Sequence, residues 1–354
     1  MAAAPFSPSP AAVVRGWLSD AGRLPDRDFT SWTCVVADTT IRLRCTDNAT
    51  GAAYRSRMTG GAGAGRAPGL WFDLVETERV GWPPPGASEI WRRSPDWIER
   101  RLTSEGLAAL MPERRAGDEG YPWVFFDSAT GRGLVLVRTV ADLPPWTEGA
   151  PFSLLFHLAC AWRGWRLLHA GTLGLDGRGM LLAGPGGAGK SATTLAGLQA
   201  GLKTVGDDYV VLQPDPAPTA WPLYRVVKQS PAGLARLPAP LDSLAGRETN
   251  WHGKVEFDPE AIFPGSLARS LELGAIVLPK VTDAAITKIA PVSPTRAFSA
   301  LAGSMFPQLP GGRLAGFSVL TRLTRSLPAF EARLSPDAAE VGQALLQFMT
   351  RGPA

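Results

Sequence analysis

Residues 180–191, MLLAGPGGAGKS, constrain this chain more than any other segment. A short apolar run ends in glycines, and the following SATTLAGLQAG (191–201) reads as a helix closed by Gly201. The loop between them, GPGGAGKS (184–191), fits the pattern G-x-x-x-x-G-K-S/T. Small residues there let consecutive backbone N–H groups point inward at a helix N-terminus, where they cradle phosphate oxygens. The binding residues expected from this pattern are Gly184, Gly186, Gly187, Ala188, Gly189, Lys190, Ser191 and Ala192. Lys190 would reach the β- and γ-phosphates of ATP, and the Ser191 hydroxyl would ligate Mg2+.

A phosphate loop needs an acidic partner for the metal. VGDDYVVL supplies Asp207 and Asp208 at the start of an apolar strand. Adjacent strand residues face opposite ways, so the two carboxylates divide the work: one toward the metal, the other toward an acceptor as a base. Taken alone, the pair reads equally well as a turn. His169, in the apolar run LLHAG on the strand before the loop, is by itself an ordinary core histidine. The chain's six lysines, Lys190, Lys203, Lys228, Lys254, Lys280 and Lys288, stand against 36 basic residues in all. Arginine is the default cation here, so a lysine is more than usually apt to be present for its chemistry.

The rest of the composition mostly excludes. Net charge is formally +4 without a block of like charges, which argues against a nucleic-acid partner. No run of about 18 apolar residues appears, and the N-terminus has neither the charged flank nor the apolar core of a signal peptide. Neither a membrane nor export is expected. Cys34, Cys45 and Cys160 show neither a disulfide framework nor metal spacing and point to a reducing cytoplasm, and three histidines in all argue against a His-rich metal site. Length, 354 residues, suits two domains. Residues 1–150 are expected to form a β-rich α+β domain, with strands at 34–45, 123–127 and 133–140. Trp17, Trp32, Trp71, Trp82, Trp91, Trp97 and Trp123 crowd this half, to build its core or to grip a peptide. A linker (140–151) leads to an α/β domain over 151–354 with a mixed sheet, a helix over 152–165, a helix opened by Ser293-Pro294 and a last helix opened by Ser335-Pro336.

The run LLHAGTLGLDGRGMLLAGPGGAGKSATTLAGLQAGLKTVGDDYVVL (167–212) resembles the bacterial HPr kinase/phosphorylase family of the phosphoenolpyruvate-carboxykinase-like P-loop superfamily. The resemblance is strong over about 152–215, weaker to 354, and does not extend to residues 1–150. It implies an ATP- and Mg2+-dependent kinase in which Asp208 takes the proton from a substrate hydroxyl, Asp207 supports the metal and His169 tunes the pair. A cation before a later strand stabilises the transferring group in that family; it is an arginine there, Lys254 in NWHGKVEF matches its place, and Lys228 in LYRVVKQSP is the other candidate. An acidic segment that accompanies phosphorolysis in the family has no counterpart, which implies a one-way kinase. The order of the motifs is most similar to HPr-kinase-like enzymes of lasso-peptide clusters, which implies phosphorylation of a serine of a ribosomally made precursor peptide, with the first half as its recognition part. Alternatives are a small-molecule kinase of the same fold and a nucleotide-gated peptide-binding module without transfer. Homo-oligomerisation is left open.

Overall fold

The computed structural model describes residues 9–60, 67–81, 101–110, 122–306 and 313–352. Trp82, Trp91 and Trp97 lie outside them. The chain divides into two units, one of residues 1–56 and 60–162, the other of 57–59 and 163–354. Expected boundaries at 150/151 therefore shift: the helix Ser153–Trp162 packs with the first unit, because its aromatic side chains complete that unit's core.

In the first unit, helix α1 (Pro10–Arg23) starts where Ser9 caps it by accepting from the Ala12 amide, with Pro10 at the first helical position. Strands β1 (Thr30–Val36) and β2 (Thr39–Cys45) form a hairpin, so the segment 34–45, expected as one strand or hairpin arm, holds the end of one arm, the turn and the whole of the other. Helix α2 (Asn48–Arg57), β3 (Leu70–Glu76), β4 (Leu107–Leu110), β5 (Trp123–Asp127) and β6 (Arg132–Val137) follow. The sheet runs β1-β2-β3-β6-β5-β4, parallel at β2/β3 and β3/β6 and antiparallel elsewhere. Alternation along β5 explains both faces. Trp123 and Phe125 pack with Trp17, Val14 and Leu18 of α1, while Phe126 meets Phe72, which also touches Phe156 of helix α3 (Ser153–Trp162). Trp17, Trp32 and Trp123 are thus core, as the compact reading of those aromatics expects.

The second unit is a mixed α/β structure. Its strands are β7 (Arg166–His169), β8 (Gly171–Leu175), β9 (Arg178–Leu182), β10 (Tyr209–Gln213), β11 (Thr219–Trp221), β12 (Val227–Gln229), β13 (Val255–Phe257), β14 (Leu271–Val281), β15 (Lys288–Val292) and β16 (Ala329–Leu334). One sheet is ordered β15-β16-β14-β11-β10-β7, with β9 also beside β14 and β8 beside β9. Within it β9, β14 and β16 run parallel. Helix α4 (Lys190–Gln199) leaves the C-terminal end of β9 and lies against α7 (Ala338–Arg351). Gly342 of α7 sits where a Cβ would fall 2.4 Å from the Ala196 carbonyl oxygen. Leu173, Met180, Leu182, Leu198, Val277, Phe330 and Leu345 fill the layer between.

Helix α5 (Pro294–Met305) is capped by Ser293, as expected. A further helix, α6 (Arg313–Ser326), is absent from the sequence reading. The last helix starts later than expected: Asp337, not Ser335, accepts from the Ala339 and Glu340 amides, while the Ser335 hydroxyl accepts from the Asp337 amide and donates to Ala285 O. Strands β12 and β13 form a separate antiparallel pair in which Lys228 stands opposite Glu256.

Candidate functional site

The glycine-rich loop rises from β9 over the C-terminal ends of the parallel strands. A Cβ on Gly189 would lie 3.0 Å from Val281 Cγ2 at the end of β14 and 3.6 Å from Leu334 Cδ1 at the end of β16. Gly189 also has φ +101°, a conformation that L side chains rarely adopt, so steric room and backbone twist both demand glycine here. It occupies the N-cap of α4 without a side-chain cap, which leaves the helix's first amides directed at the loop. The Lys190 ammonium is buried and donates to the carbonyls of Gly184 (2.8 Å) and Pro185 (3.2 Å). Burial lowers its pKa, with Lys254 adding to the effect; Asp207 and Asp208 oppose it.

Both aspartates are placed by the turn that precedes β10. Thr172 and Thr204 hydroxyls each bond to Gly206 O, and the Gly206 amide returns a bond to Thr204 Oγ1, which fixes the chain just before the pair. The two side chains then diverge. Asp207 is 2% exposed, and neither of its carboxylate oxygens has a hydrogen-bond partner among the described residues. Burial raises its pKa, the dominant effect; the Ser191 and Thr194 hydroxyls near the start of α4 act the other way. A buried carboxylate aimed at a phosphate loop, with a serine hydroxyl beside it, is the oxygen donor set that Mg2+ takes. Asp207 and Ser191 fit the cation expected for them.

Asp208 looks toward the other partners. His169 Nε2 donates to its Oδ1 at 2.9 Å, and Lys228 Nζ donates to its Oδ2 at 2.8 Å. Burial alone would raise its pKa, but the Lys228 charge and the His169 hydrogen bond overcome this and hold the carboxyl far below the usual range. Lys228 shifts upward in turn: burial lowers it, and Asp208 and then Glu256 more than compensate. His169 is fixed by strand pairing, since it stands opposite Tyr209 in the β7/β10 ladder, and Ser304 of α5 donates to its carbonyl.

Of the two candidate cations, Lys228 therefore binds Asp208 directly. Lys254 contacts the site only through the field it exerts on Lys190, and its side chain has no ion-pair partner among the described residues. Its backbone is held by Asn250, whose amide Nδ2 also donates to Glu256 Oε1 at 2.7 Å. The sequence reading missed Glu256. It supports Lys228 from 3.9 Å and accepts from Arg57 Nε at 3.2 Å. Its signal was the alternation of KVEF against VVKQ, which pairs Glu256 with Lys228 only once the register is known.

No protein-family model and no curated protein sequence matches the chain. Among solved structures, one similar chain is the Hpr(Ser) kinase/phosphatase from Coxiella burnetii. It aligns over 52% of this chain and 88% of its own, with 14% sequence identity and a TM-score of 0.28. A likeness that faint settles neither fold nor activity.

Proposed function

We propose that this protein is an ATP- and Mg2+-dependent kinase acting on a serine hydroxyl of a ribosomally made peptide. The observation that carries the reading is the division of labour in the aspartate pair. One carboxylate is buried and unpartnered against the phosphate loop, and its neighbour is held ionised by His169 and Lys228. In such a site Asp207 and Ser191 would hold Mg2+, which supplies charge neutralisation at the β- and γ-phosphates when bound.

The chain's own groups do the remainder. Loop amides and Lys190 bind the β- and γ-phosphates, Lys190 leaving the Gly184 and Pro185 carbonyls to do so. Asp208 orients the acceptor hydroxyl and takes its proton as the new P–O bond forms and the bond to the ADP oxygen breaks. Its ion pairs make it a weak base. Phosphoryl transfer through a loose transition state asks for little basicity, so orientation is the larger part of its contribution. Lys254 is the cation free to approach the transferring group, while Lys228 positions Asp208.

Peptide specificity rests on the motif resemblance and on the additional first unit; a small-molecule acceptor would use the same cluster. Incubation with Mg2+-ATP and a serine-containing precursor peptide, read by intact mass, should add one phosphate per chain of the peptide. Transfer to a free alcohol with none to peptides would replace this acceptor with a small molecule. Binding of nucleotide and peptide without any transfer would support the non-catalytic alternative.

A further inference from the structure

The first unit contains a polar cavity of about 310 Å³, lined by Gly22, Leu24, Asp26, Arg42, Arg44, Trp71 and Arg132. That is the lower end of the range for small-ligand sites. Sheet register explains why three arginines converge there. Arg42, Trp71 and Arg132 are successive partners across β2, β3 and β6, so they form one row on one face, with a tryptophan between two guanidinium groups. In the next row Arg44 pairs with Asp73 through Nε at 2.6 Å and Nη2 at 3.0 Å.

The three arginines are not equivalent. Arg44 is buried and fully used: besides Asp73 it donates to Asp26 Oδ1 and to the carbonyls of Ala21 and Leu24. Arg42 gives one nitrogen to Asp26 Oδ2 at 2.8 Å and keeps its other donors. Arg132 lies over the Trp71 ring, 5.5 Å from its centroid, and packs closely against Gly22, where a Cβ would meet its Nη1 at 2.4 Å. Its guanidinium has no hydrogen bond or ion pair among the described residues, although the residue is half-buried. A guanidinium presents five donors in a fork that matches carboxylate or phosphate, and leaving it unused in a partly desolvated wall is costly.

We infer that this cavity is an oxyanion-binding site, in which Arg132 holds a carboxylate or phosphate group and Arg42 holds a second polar group of the same ligand. Two strand spacings separate the arginine backbones by about 10 Å, which suits a short ligand with polar groups at both ends. Asp26 acts as the internal counter-ion that keeps Arg42 and Arg44 together, and its own carboxyl is pulled down by hydrogen bonds from both.

Arginine-selective labelling of the full chain with phenylglyoxal, quantified residue by residue by mass spectrometry, tests this away from the phosphate loop. At constant ionic strength, Arg132 should react in the free protein. Millimolar inorganic phosphate or succinate should slow it several-fold, while Arg23 and Arg27, 77% and 84% exposed, keep their rates. Protection by phosphate alone would identify a phosphate ligand, and protection by succinate alone a carboxylate. In an Arg42→Gln protein with an unchanged melting temperature, succinate should protect Arg132 only at several-fold higher concentration. An inert Arg132, protection by neither anion, or equal slowing at Arg23 and Arg27 would overturn the site. Unchanged succinate protection in Arg42→Gln would overturn its second wall.

Discussion

Asp207 shows most clearly how one residue's position sets both a stability cost and a function. Its carboxyl is buried beside the phosphate loop without a hydrogen bond among the described residues, and burial raises its pKa. Below the unfolded value of about 3.9 it is neutral in both states and costs nothing. As pH rises past that value, the unfolded chain gives up the proton first, so the native state loses stability until its own higher pKa is passed. Asp207→Asn should therefore melt above wild type at pH 7 in metal-free buffer, and the gap should close as pH approaches 4. Differential scanning fluorimetry across that range checks it, and the variant should also lose the stabilisation that Mg2+-ATP gives wild type. A lower melting temperature at pH 7 would refute the buried, unpartnered carboxylate. Lys190→Ala belongs to the same scale. Loss of a charge that acts on the β/γ-phosphates costs on the order of 3 kcal/mol of transition-state stabilisation, so single-turnover transfer should fall by about two orders of magnitude.

Elements decide which of these residues can meet. Gly189 joins β9 to α4 in a twist that a side chain tolerates poorly, so Gly189→Ala should cost about 2 kcal/mol and weaken nucleotide binding, measurable by chemical denaturation and by titration. The β12/β13 pair supplies two cations with separable jobs. Lys228→Met strips a close partner from Asp208 and should lower stability by about 1–3 kcal/mol as well as activity. Lys254→Met should lower the transfer rate at unchanged melting temperature. Equal behaviour of the two variants in both assays would collapse the distinction. At this scale the sequence was partly readable. The β5/β6 hairpin shows in WVFFD and GLVLV because apolar runs flank a glycine turn, and α5 shows in Ser293-Pro294. Helix α6 was not legible, since Gly316 and Thr324 take buried positions in RLAGFSVLTRLTRS while Phe317 is exposed, which blurs the apolar stripe. Glu256 was hidden because its pairing with Lys228 is a matter of register across 27 residues of intervening chain.

For the whole molecule, the second unit holds every residue of the cluster that runs from His169 through Lys190, Asp207 and Asp208 to Lys228 and Lys254. Residues 57–59 join that unit from within the first half of the chain: Thr59 N donates to Leu223 O, and Arg225 N donates to Arg57 O. No local pattern announces such a long-range insertion. Hydrogen exchange of the full chain should show Mg2+-ATP protecting amides of 184–194 and leaving β1–β6 at their free rates. The phosphate loop and the Asp207 carboxylate should act as one Mg2+-nucleotide site. Calorimetric titration of the folded full chain with ATP, with and without Mg2+, reads this most directly. Saturable binding that strengthens with Mg2+, disappears in Lys190→Ala and loses its Mg2+ dependence in Asp207→Asn is the predicted result; no Mg2+-ATP binding by the folded wild type, or binding indifferent to both substitutions, would contradict it.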